Sequence, residues 1–418
     1  MALVSEGSFP SQPTSLWRHS DFLKLWTGET VSLFGSQFTV LAMPLIATLT
    51  LNATAGEMGV LNALDTAPFL LVGLLAGVWV DRLRRRPILM TANIGRALVL
   101  SGVPLAAWLG VLRLEQLYVV GFLAGVLTVF FDVAYQSYLP ALVDRRQLIE
   151  GNSKLEVSRS TAQIGGPAIA GLVVQALSAP LAIALDALSF LWSALFLALI
   201  RGHEPAPDRS NGKPFLPELR EGLGVVFGDS SLRSIAGCTG TMNLFGSGIW
   251  ALYVLFAVRE LELDSARIGF IWSVGSATVM LGVLIAGRAS ERFGLGPTIV
   301  ASAFVGGLAN LPLVFANPSS AVFLLILAGL VGSLTTPVYN INQVSLRQAI
   351  TPDRLQGRMN ATMRFLVWGT MPVGALMGGA LGEAIGLRPA IAVFAIGELL
   401  GFLWLLPSPV PGLRRIVA

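Results

Sequence analysis

The sequence predicts an all-α membrane protein in which twelve transmembrane helices form two pseudo-symmetric six-helix bundles. Two observations support this prediction: the composition of the 418-residue chain, and a pattern that recurs after 210 residues. Hydrophobic residues make up 54% of the chain and charged residues only 12%, about half the charged fraction of ordinary soluble domains. So few charged residues cannot cover the surface of a soluble protein of this size. We therefore expect a chain that crosses the bilayer many times.

Stretches without Lys, Arg, Asp or Glu locate the spans. Four such stretches cover residues 30–56, 160–185, 234–258 and 293–346. The last is long enough for two spans, which a turn at 317–320 would separate. The predicted spans are 22–51, 56–80, 87–110, 116–139, 157–178, 180–200, 234–257, 266–287, 297–316, 320–346, 361–384 and 388–406.

The basic residues predict the orientation. With a cytoplasmic amino terminus, 23 of the 28 basic residues fall in cytoplasmic segments, and one, Arg96, lies inside a span. The outer turns hold only Arg113, Arg259, Arg267 and Arg388. Because cytoplasmic loops carry such an excess, we expect a multi-pass protein of the cell membrane with both termini in the cytoplasm. The positive charge is spread over many short loops, so no nucleic-acid partner is predicted.

A polar segment at 201–233 divides the chain evenly. Within it, residues 215–223 space apolar side chains three to four apart, which predicts an amphipathic helix on the inner leaflet. The predicted organisation is a cytoplasmic tail at 1–21, a first bundle at 22–200, a cytoplasmic linker at 201–233, a second bundle at 234–406 and a cytoplasmic tail at 407–418.

The ends of the second and eighth spans carry one pattern, Gly-x3-acid-Arg-x4-Pro. Its residues are Gly77, Asp81, Arg82 and Pro87 in the first half, and Gly287, Glu291, Arg292 and Pro297 in the second. Both the glycines and the prolines are 210 residues apart. A pattern at the same place in each half indicates a duplicated fold.

Residues 77–89 resemble the signature of the loop between spans two and three in the major facilitator superfamily, Gly-x-Leu-Ala-Asp-Arg-x-Gly-Arg-Arg/Lys. The residues that match are Gly77, Asp81, Arg82, Arg85 and Arg86. The residues that depart from it are Trp79, Val80 and Arg84. The chain also resembles the drug and siderophore exporters of that superfamily, of the macrolide-efflux and enterobactin-exporter type, at 22–26, 139–143, 166–167, 186–190 and 357–358.

This resemblance implies a secondary transporter that works by alternating access. It would export an amphipathic small molecule, such as a drug, an antibiotic, a secondary metabolite or a siderophore, in exchange for protons. It also implies that Asp81 accepts hydrogen bonds at the start of span eleven and closes the cytoplasmic side, with Glu291 and Arg292 as a weaker twin. Positive charge at a tight inner loop also serves as an orientation signal.

Charged residues inside predicted spans are candidates for ion coupling. Glu29, Arg96 and Asp132 lie roughly 10–14 Å from the cytoplasmic ends of their spans, at 1.5 Å per residue. The resemblance places spans one and four on a central cavity, which makes Glu29 and Asp132 candidates to bind a proton or a cationic substrate, and Asp65 is a further candidate. The alternative for Glu29, Arg96 and Asp132 is a static ion pair between helices. Proton antiporters of other branches often carry an arginine in span four, which 121–139 lacks.

Two other acidic residues inside spans are interpreted as structural. Asp186 lies in a family-like run near the outer end of span six, and Glu398 lies three residues before Gly401, where it would cap a helix contact.

Substrate contact is predicted for aromatic and amide side chains of the cavity-lining spans. They are Phe34, Gln37, Phe131, Tyr135, Asn243, Trp250, Tyr339, Asn340 and Gln343. The alternative is that such side chains face lipid or neighbouring helices. In span five, Gly165, Gly166, Pro167 and Gly171 resemble the antiporter pattern Gly-x3-Gly-Pro-x3-Gly without its first glycine, and predict a point where the helix bends.

Several function classes are excluded by what the sequence lacks. The only lysines are Lys24, Lys154 and Lys213, and none stands in a nucleotide-binding loop, so no ATP is expected. A single cysteine and two histidines predict no metal, no cofactor and no enzyme. The expected partners are the lipid bilayer, a small-molecule substrate and protons, and the chain is expected to be a monomer. The alternatives are an importer or sodium-coupled carrier of the same fold, or a non-transporting receptor or scaffold.

Overall fold

The computed structural model describes residues 15–202, 204 and 215–414, which are helical and contain no strand. The first six spans are α1 (Ser20–Leu45), continued by a π-helical turn at Ile46–Thr50, α2 (Ala55–Leu71) with α3 (Gly73–Arg82), α4 (Arg85–Trp108), α5 (Leu114–Leu142), α6 (Leu148–Ala176) and α7 (Ala179–Ala198). The linker forms α8 (Phe215–Gly228). The last six spans are α9 (Ser230–Arg259), α10 (Ser265–Gly275) with α11 (Val279–Phe293), α12 (Leu295–Leu308) with α13 (Leu311–Phe315), α14 (Ala321–Ile350), α15 (Asp353–Trp368) with α16 (Thr370–Ile385), and α17 (Leu387–Leu400).

The prediction of an all-α, twelve-span protein is confirmed. Ten of these segments are long and apolar enough to cross a bilayer by length and composition. The other two are α2 with α3, which is interrupted at Val72, and α6, which carries four charged residues in its first twelve. Parts of the predicted tails and linker, at 1–14, 203, 205–214 and 415–418, lie outside the described residues.

The two bundles repeat one packing scheme. In the first bundle, α1 packs against α6 and α7, while α4 packs against α5 and α7. In the second, α9 packs against α16 and α17, while α12 packs against α14 and α17. Equivalent helices therefore occupy equivalent places in the two halves.

The two ends of the molecule differ in their loops. We call the end with connections 83–84, 143–147, 199–229, 294 and 351–352 the basic end, and the end with connections 51–54, 109–113, 177–178, 260–264, 316–320 and 386 the opposite end.

At the basic end, the start of the third span is capped in both halves by the segment that follows the sixth. Glu204 accepts hydrogen bonds from the backbone N–H groups of Arg85 (2.6 Å) and Arg86 (3.2 Å). The carbonyl oxygen of Leu413 accepts from the N–H of Gly296 (2.8 Å). Both caps supply acceptors to N–H groups that a helix cannot pair internally.

The halves meet along two helix pairs, α2 with α16 and α6 with α10, which we call the two seams. A Cβ atom on Gly59 of α2 would lie 2.7 Å from the carbonyl oxygen of Ala375, and one on Gly269 of α10 would lie 2.2 Å from that of Pro167. Gly59 and Gly269 are 210 residues apart, the spacing of the sequence repeat. The same glycine of the duplicated fold thus lets the backbones approach at each seam.

The seams are tight at the opposite end, whereas the basic end is open. Across the opposite end, Glu383 accepts a hydrogen bond from the N–H of Gly56 (3.1 Å), and Arg259 donates to the carbonyl oxygen of Ala53 (2.9 Å). At the basic end, a Cβ on Gly77 or on Gly287 would meet no atom within 4 Å. The halves are therefore in close contact at the opposite end, whereas Gly77 of α3 and Gly287 of α11 are free of such contacts at the basic end.

Candidate substrate cavity

A cavity of about 800 Å³ lies between the two halves. Residues of α1, α2 and α6 line it from the first half, and residues of α9, α10, α12, α14 and α17 line it from the second. This volume is in the range of sites for drug-sized molecules, about 300–1,000 Å³.

Three aromatic side chains form one wall of the cavity. The rings of Trp250 on α9 and Trp272 on α10 stack with centroids 4.9 Å apart, and the Tyr253 ring lies 5.9 and 5.8 Å from them. Farther along, the Tyr339 hydroxyl forms a hydrogen bond of 2.7 Å with that of Thr239. Such a wall offers flat apolar faces to a bound molecule.

Amide side chains supply hydrogen-bonding groups in the same cavity. Gln37, Asn243 and Asn340, all predicted from the sequence, line the cavity. Asn243 also donates to the carbonyl oxygen of Val367 (3.1 Å), beside the interruption of span eleven between α15 and α16. Its amide therefore braces that interruption as well as facing the cavity.

Two carboxyl groups line the cavity from opposite halves. Asp65 of α2 is exposed to the cavity, and its carboxylate forms no hydrogen bond or ion pair with the described part of the chain. Glu398 of α17 accepts a hydrogen bond of 2.8 Å from the Asn310 side chain. The sequence analysis assigned Glu398 to a helix contact and did not include it among the cavity residues, where the structure has it. The only sequence signal for a cavity position of Glu398 was its charge within an apolar helix.

Glu29, Arg96 and Asp132 do not form the ion pair that the sequence left open as an alternative, since no carboxylate oxygen of the described residues lies within 4.0 Å of the Arg96 guanidinium. Glu29 is buried with one oxygen unpartnered, and it borders a separate space of about 580 Å³ together with Tyr135. Asp132 is exposed to a crevice of about 310 Å³, which it shares with Arg364.

Four predicted cavity residues are not on the wall of the 800 Å³ cavity, and one of them, Tyr135, borders the separate space described above. Phe131 is buried, with its ring centroid 4.3 Å from the Arg96 guanidinium. Gln343 is also buried, and Phe34 lies near Gly165 of α6. The remaining predicted residues on the wall are Trp250 and Tyr339.

The arginines of the loop signature contact their own half in this conformation. Arg85 lies 3.6 Å from Glu204, and the Arg86 guanidinium donates to the carbonyl oxygens of Leu197 (2.9 Å) and Ala198 (2.7 Å) at the end of α7. The Asp81 side chain lies outside the described part of the structure. Arg82, Glu291 and Arg292 are exposed. The interaction expected with span eleven therefore stays a prediction for another conformation.

The small residues of α6 lie at a seam between the halves. Helix α6 runs through Pro167 without interruption. The Ala168 N–H donates to Ser273 of α10 (2.8 Å), and Ser265 donates to the carbonyl oxygen of Gly171 (3.3 Å). In this structure the segment of Gly165, Gly166, Pro167 and Gly171 permits close helix packing.

Comparison with known proteins agrees with this architecture. Residues 11–416 match the family described as transmembrane secretion effector. The chain is 27% identical to the multidrug efflux pump Tap of Mycolicibacterium fortuitum, over 88% of this chain and 90% of that protein. It is 26% identical to macrolide efflux protein A of Streptococcus pyogenes, with the same coverage of 88% and 90%.

Solved transporters share the fold. The nucleoside transporter NupG superposes with a TM-score of 0.77 at 13% identity, over 93% of this chain and 98% of that one. A bacterial homologue of the iron transporter ferroportin superposes with a TM-score of 0.76 at 15% identity, over 94% and 99%. With the match along nearly the whole length, the chain belongs to the transmembrane secretion effector family of the major facilitator superfamily, among the relatives of drug exporters.

Proposed function

We propose that this transporter exports amphipathic organic molecules from the cytoplasm in exchange for protons. The cavity of about 800 Å³, with an aromatic wall and carboxyl groups of both halves, carries this proposal. The two relatives named as a multidrug efflux pump and a macrolide efflux protein support the direction and the substrate class. The excess of basic residues supports a cell-membrane topology in which the basic end and both termini face the cytoplasm.

In this proposal the structure is the inward-facing state. A substrate enters from the basic end and binds beneath the closed seams at the opposite end. Rocking of the two halves about the cavity then opens the seams and closes the basic end, as in alternating access. The signature residues Gly77, Asp81, Arg82, Gly287, Glu291 and Arg292 would meet the other half in that second state.

We propose that the Asp65 carboxylate binds the proton and the cationic substrate alternately. It faces the cavity and has no partner among the residues that the structure describes, so a cationic substrate or a proton can neutralise it in turn. Glu29, with its buried and unpartnered oxygen, is a second coupling candidate nearer the basic end. Asp132 and Arg96 complete the set of coupling residues proposed from the sequence.

Purified protein in proteoliposomes tests this function, with the aromatic cation rhodamine 6G as the probe. An imposed pH gradient should drive rhodamine 6G transport, and added rhodamine 6G should release protons. Asp65→Asn should remove the dependence on the pH gradient, while Asp144→Asn, at an exposed carboxylate of a basic-end loop, should leave it unchanged.

Each alternative has its own outcome in this assay. Transport driven by a sodium gradient would identify sodium as the coupling ion instead of the proton. Net accumulation of rhodamine 6G on the side of the basic end would indicate an importer. Absence of flux under either gradient would reject a transporter of this substrate class.

A further inference from the structure

A second cavity of about 290 Å³ extends from the central cavity into the first bundle. The two spaces adjoin at Asn62, Asp65 and Trp250, which line both. Its volume corresponds to roughly ten water molecules at about 30 Å³ each, enough for one substituent of a drug-sized molecule. Most of its wall is apolar, with contributions from Met43, Met58, Leu61 and Leu100 among others.

Arg96 is a charged residue on the wall of this second cavity. Its guanidinium lies between the rings of Phe131 and Phe190, 4.3 and 4.1 Å from their centroids, and its side chain is 6% exposed. Its one hydrogen bond within the described chain is donated by Nη2 to the side-chain oxygen of Asn93. Asn93 is itself fixed by donating to Ser193 (2.9 Å). The guanidinium is therefore held rigidly in a largely dry site.

The same guanidinium has an unused donor. Its Nε atom is buried and has no acceptor in the described chain. A buried polar group without a hydrogen bond is costly in free energy, and Arg96 borders a space that a ligand can reach from the central cavity. Within the described chain the guanidinium uses one of its five N–H donors, on Nη2, so it retains donors for an oxygen acceptor in the cavity.

Neighbouring charges define what kind of acceptor fits. Asp186 borders the same cavity, but its carboxylate already accepts hydrogen bonds from Thr39 and from Ser189 (3.1 Å for Ser189). An anionic group in this cavity would meet the Asp186 carboxylate as well as Arg96, whereas a neutral carbonyl oxygen needs only the donor.

We propose that the second cavity is a substrate subsite that receives an apolar arm bearing a carbonyl oxygen, with Arg96 donating the hydrogen bond. This inference rests on the proposed function, since it assigns a further part of the same substrate site. It describes a substrate with a cationic group near Asp65 and an ester, ketone or lactone carbonyl on the arm.

Two aromatic cations test the subsite by direct binding to the purified protein. Rhodamine 6G carries an ester carbonyl, whereas tetraphenylphosphonium contains no oxygen. Arg96→Lys keeps the charge but loses the planar donor group. It should weaken rhodamine 6G binding about ten-fold, equivalent to about 1.4 kcal/mol, and leave tetraphenylphosphonium binding within about two-fold.

A second variant tests whether rhodamine 6G occupies the second cavity, and it leaves the charge of Arg96 unchanged. Thr128→Phe places a ring in the second cavity and should weaken rhodamine 6G binding selectively. Two results would overturn the subsite: both variants weaken the binding of the two probes equally, or neither variant weakens the binding of either probe. In both cases the wild-type protein would still bind and transport rhodamine 6G, so the proposed function would stand. A wild-type protein that binds neither probe would contradict the proposed function together with the subsite.

Discussion

Glu383, at the end of α16, accepts a hydrogen bond of 3.1 Å from the N–H of Gly56 in the first turn of α2, so a carboxylate of one half caps a helix of the other. The same helix start has an internal capping box, formed by Thr54 and Glu57. Arg259, also from the second half, donates to Ala53 in the preceding loop. These contacts join the halves where the molecule is closed, and they must break when the opposite end opens.

Loss of the cross-half cap should favour opening of the opposite end. Glu383→Ala leaves the Gly56 N–H without this acceptor in the closed arrangement only, so it should raise the population of the state in which the opposite end is open. Cys238 is the single cysteine, so Asn62→Cys in a Cys238→Ser background places one thiol on the cavity. An impermeant thiol reagent on intact cells should label it faster in the Glu383→Ala variant.

The matched control for that experiment is Glu115→Ala, at an exposed carboxylate in the first turn of α5 at the same end. Its labelling rate should equal that of the parent. Equal rates for Glu383→Ala and the parent would show that the cap does not hold the opposite end closed.

Gly269→Ala should have a stronger effect of the same kind. The added Cβ would lie 2.2 Å from the carbonyl oxygen of Pro167. Because this atom belongs to the backbone, the clash can be removed only if α6 and α10 move apart. The opposite end should then remain open, with fast labelling of the reporter thiol and loss of transport. Gly102→Ala, where a Cβ meets nothing within 4 Å, should keep the parent labelling rate and transport. Parent-like labelling of Gly269→Ala would refute the role of this seam.

Gly77→Leu should destabilise the conformation in which the basic end is closed. Nothing lies within 4 Å of a Cβ at this position, so the inward-facing state should form with unchanged thermal stability. If the signature packs against the other half when the basic end closes, the larger side chain blocks that step and transport should fall at least about ten-fold. Stability is measured by thermal unfolding in detergent, and transport by rhodamine 6G flux. Wild-type transport by this variant would show that the loop signature does not pack against the other half when the basic end closes.

The fold was predictable because its signals are local or repeated. Four charge-free stretches locate the hydrocarbon-crossing part of several helices, and the pattern at Gly77 recurs at Gly287. The helix ends were less predictable, because hydrogen bonding continues beyond the apolar region. Thus α6 begins at Leu148 and α15 at Asp353, although the spans were predicted from 157 and 361.

The candidate site was predictable only in part, because its geometry depends on distant partners. Gln37, Trp250 and Asn340 line the cavity where their residue types suggested they would. No local pattern joins Glu398 to Asn310. Likewise, nothing in the sequence around Arg96 shows that its guanidinium contacts the rings of Phe131 and Phe190.

Asp132 and Arg364 should form an ion pair when the basic end closes. They line one crevice of about 310 Å³ from opposite halves, Asp132 on α5 and Arg364 on α15, and they lie more than 4.0 Å apart in the open state. A pair formed only in the closed state favours that state, by about 0.2–1 kcal/mol if it stays partly hydrated. Either Asp132→Asn or Arg364→Gln should therefore slow transport by up to about 5-fold.

A charge exchange distinguishes this pair from a proton-carrying role of Asp132. The double variant Asp132→Arg with Arg364→Asp should recover most of the transport lost in each single variant, because the attraction is restored with its direction reversed. Arg364→Lys, which keeps the charge, should stay close to wild type. If Asp132 instead carries the proton, the double variant should remain uncoupled from the pH gradient, and rhodamine 6G flux measured with and without that gradient would reveal it.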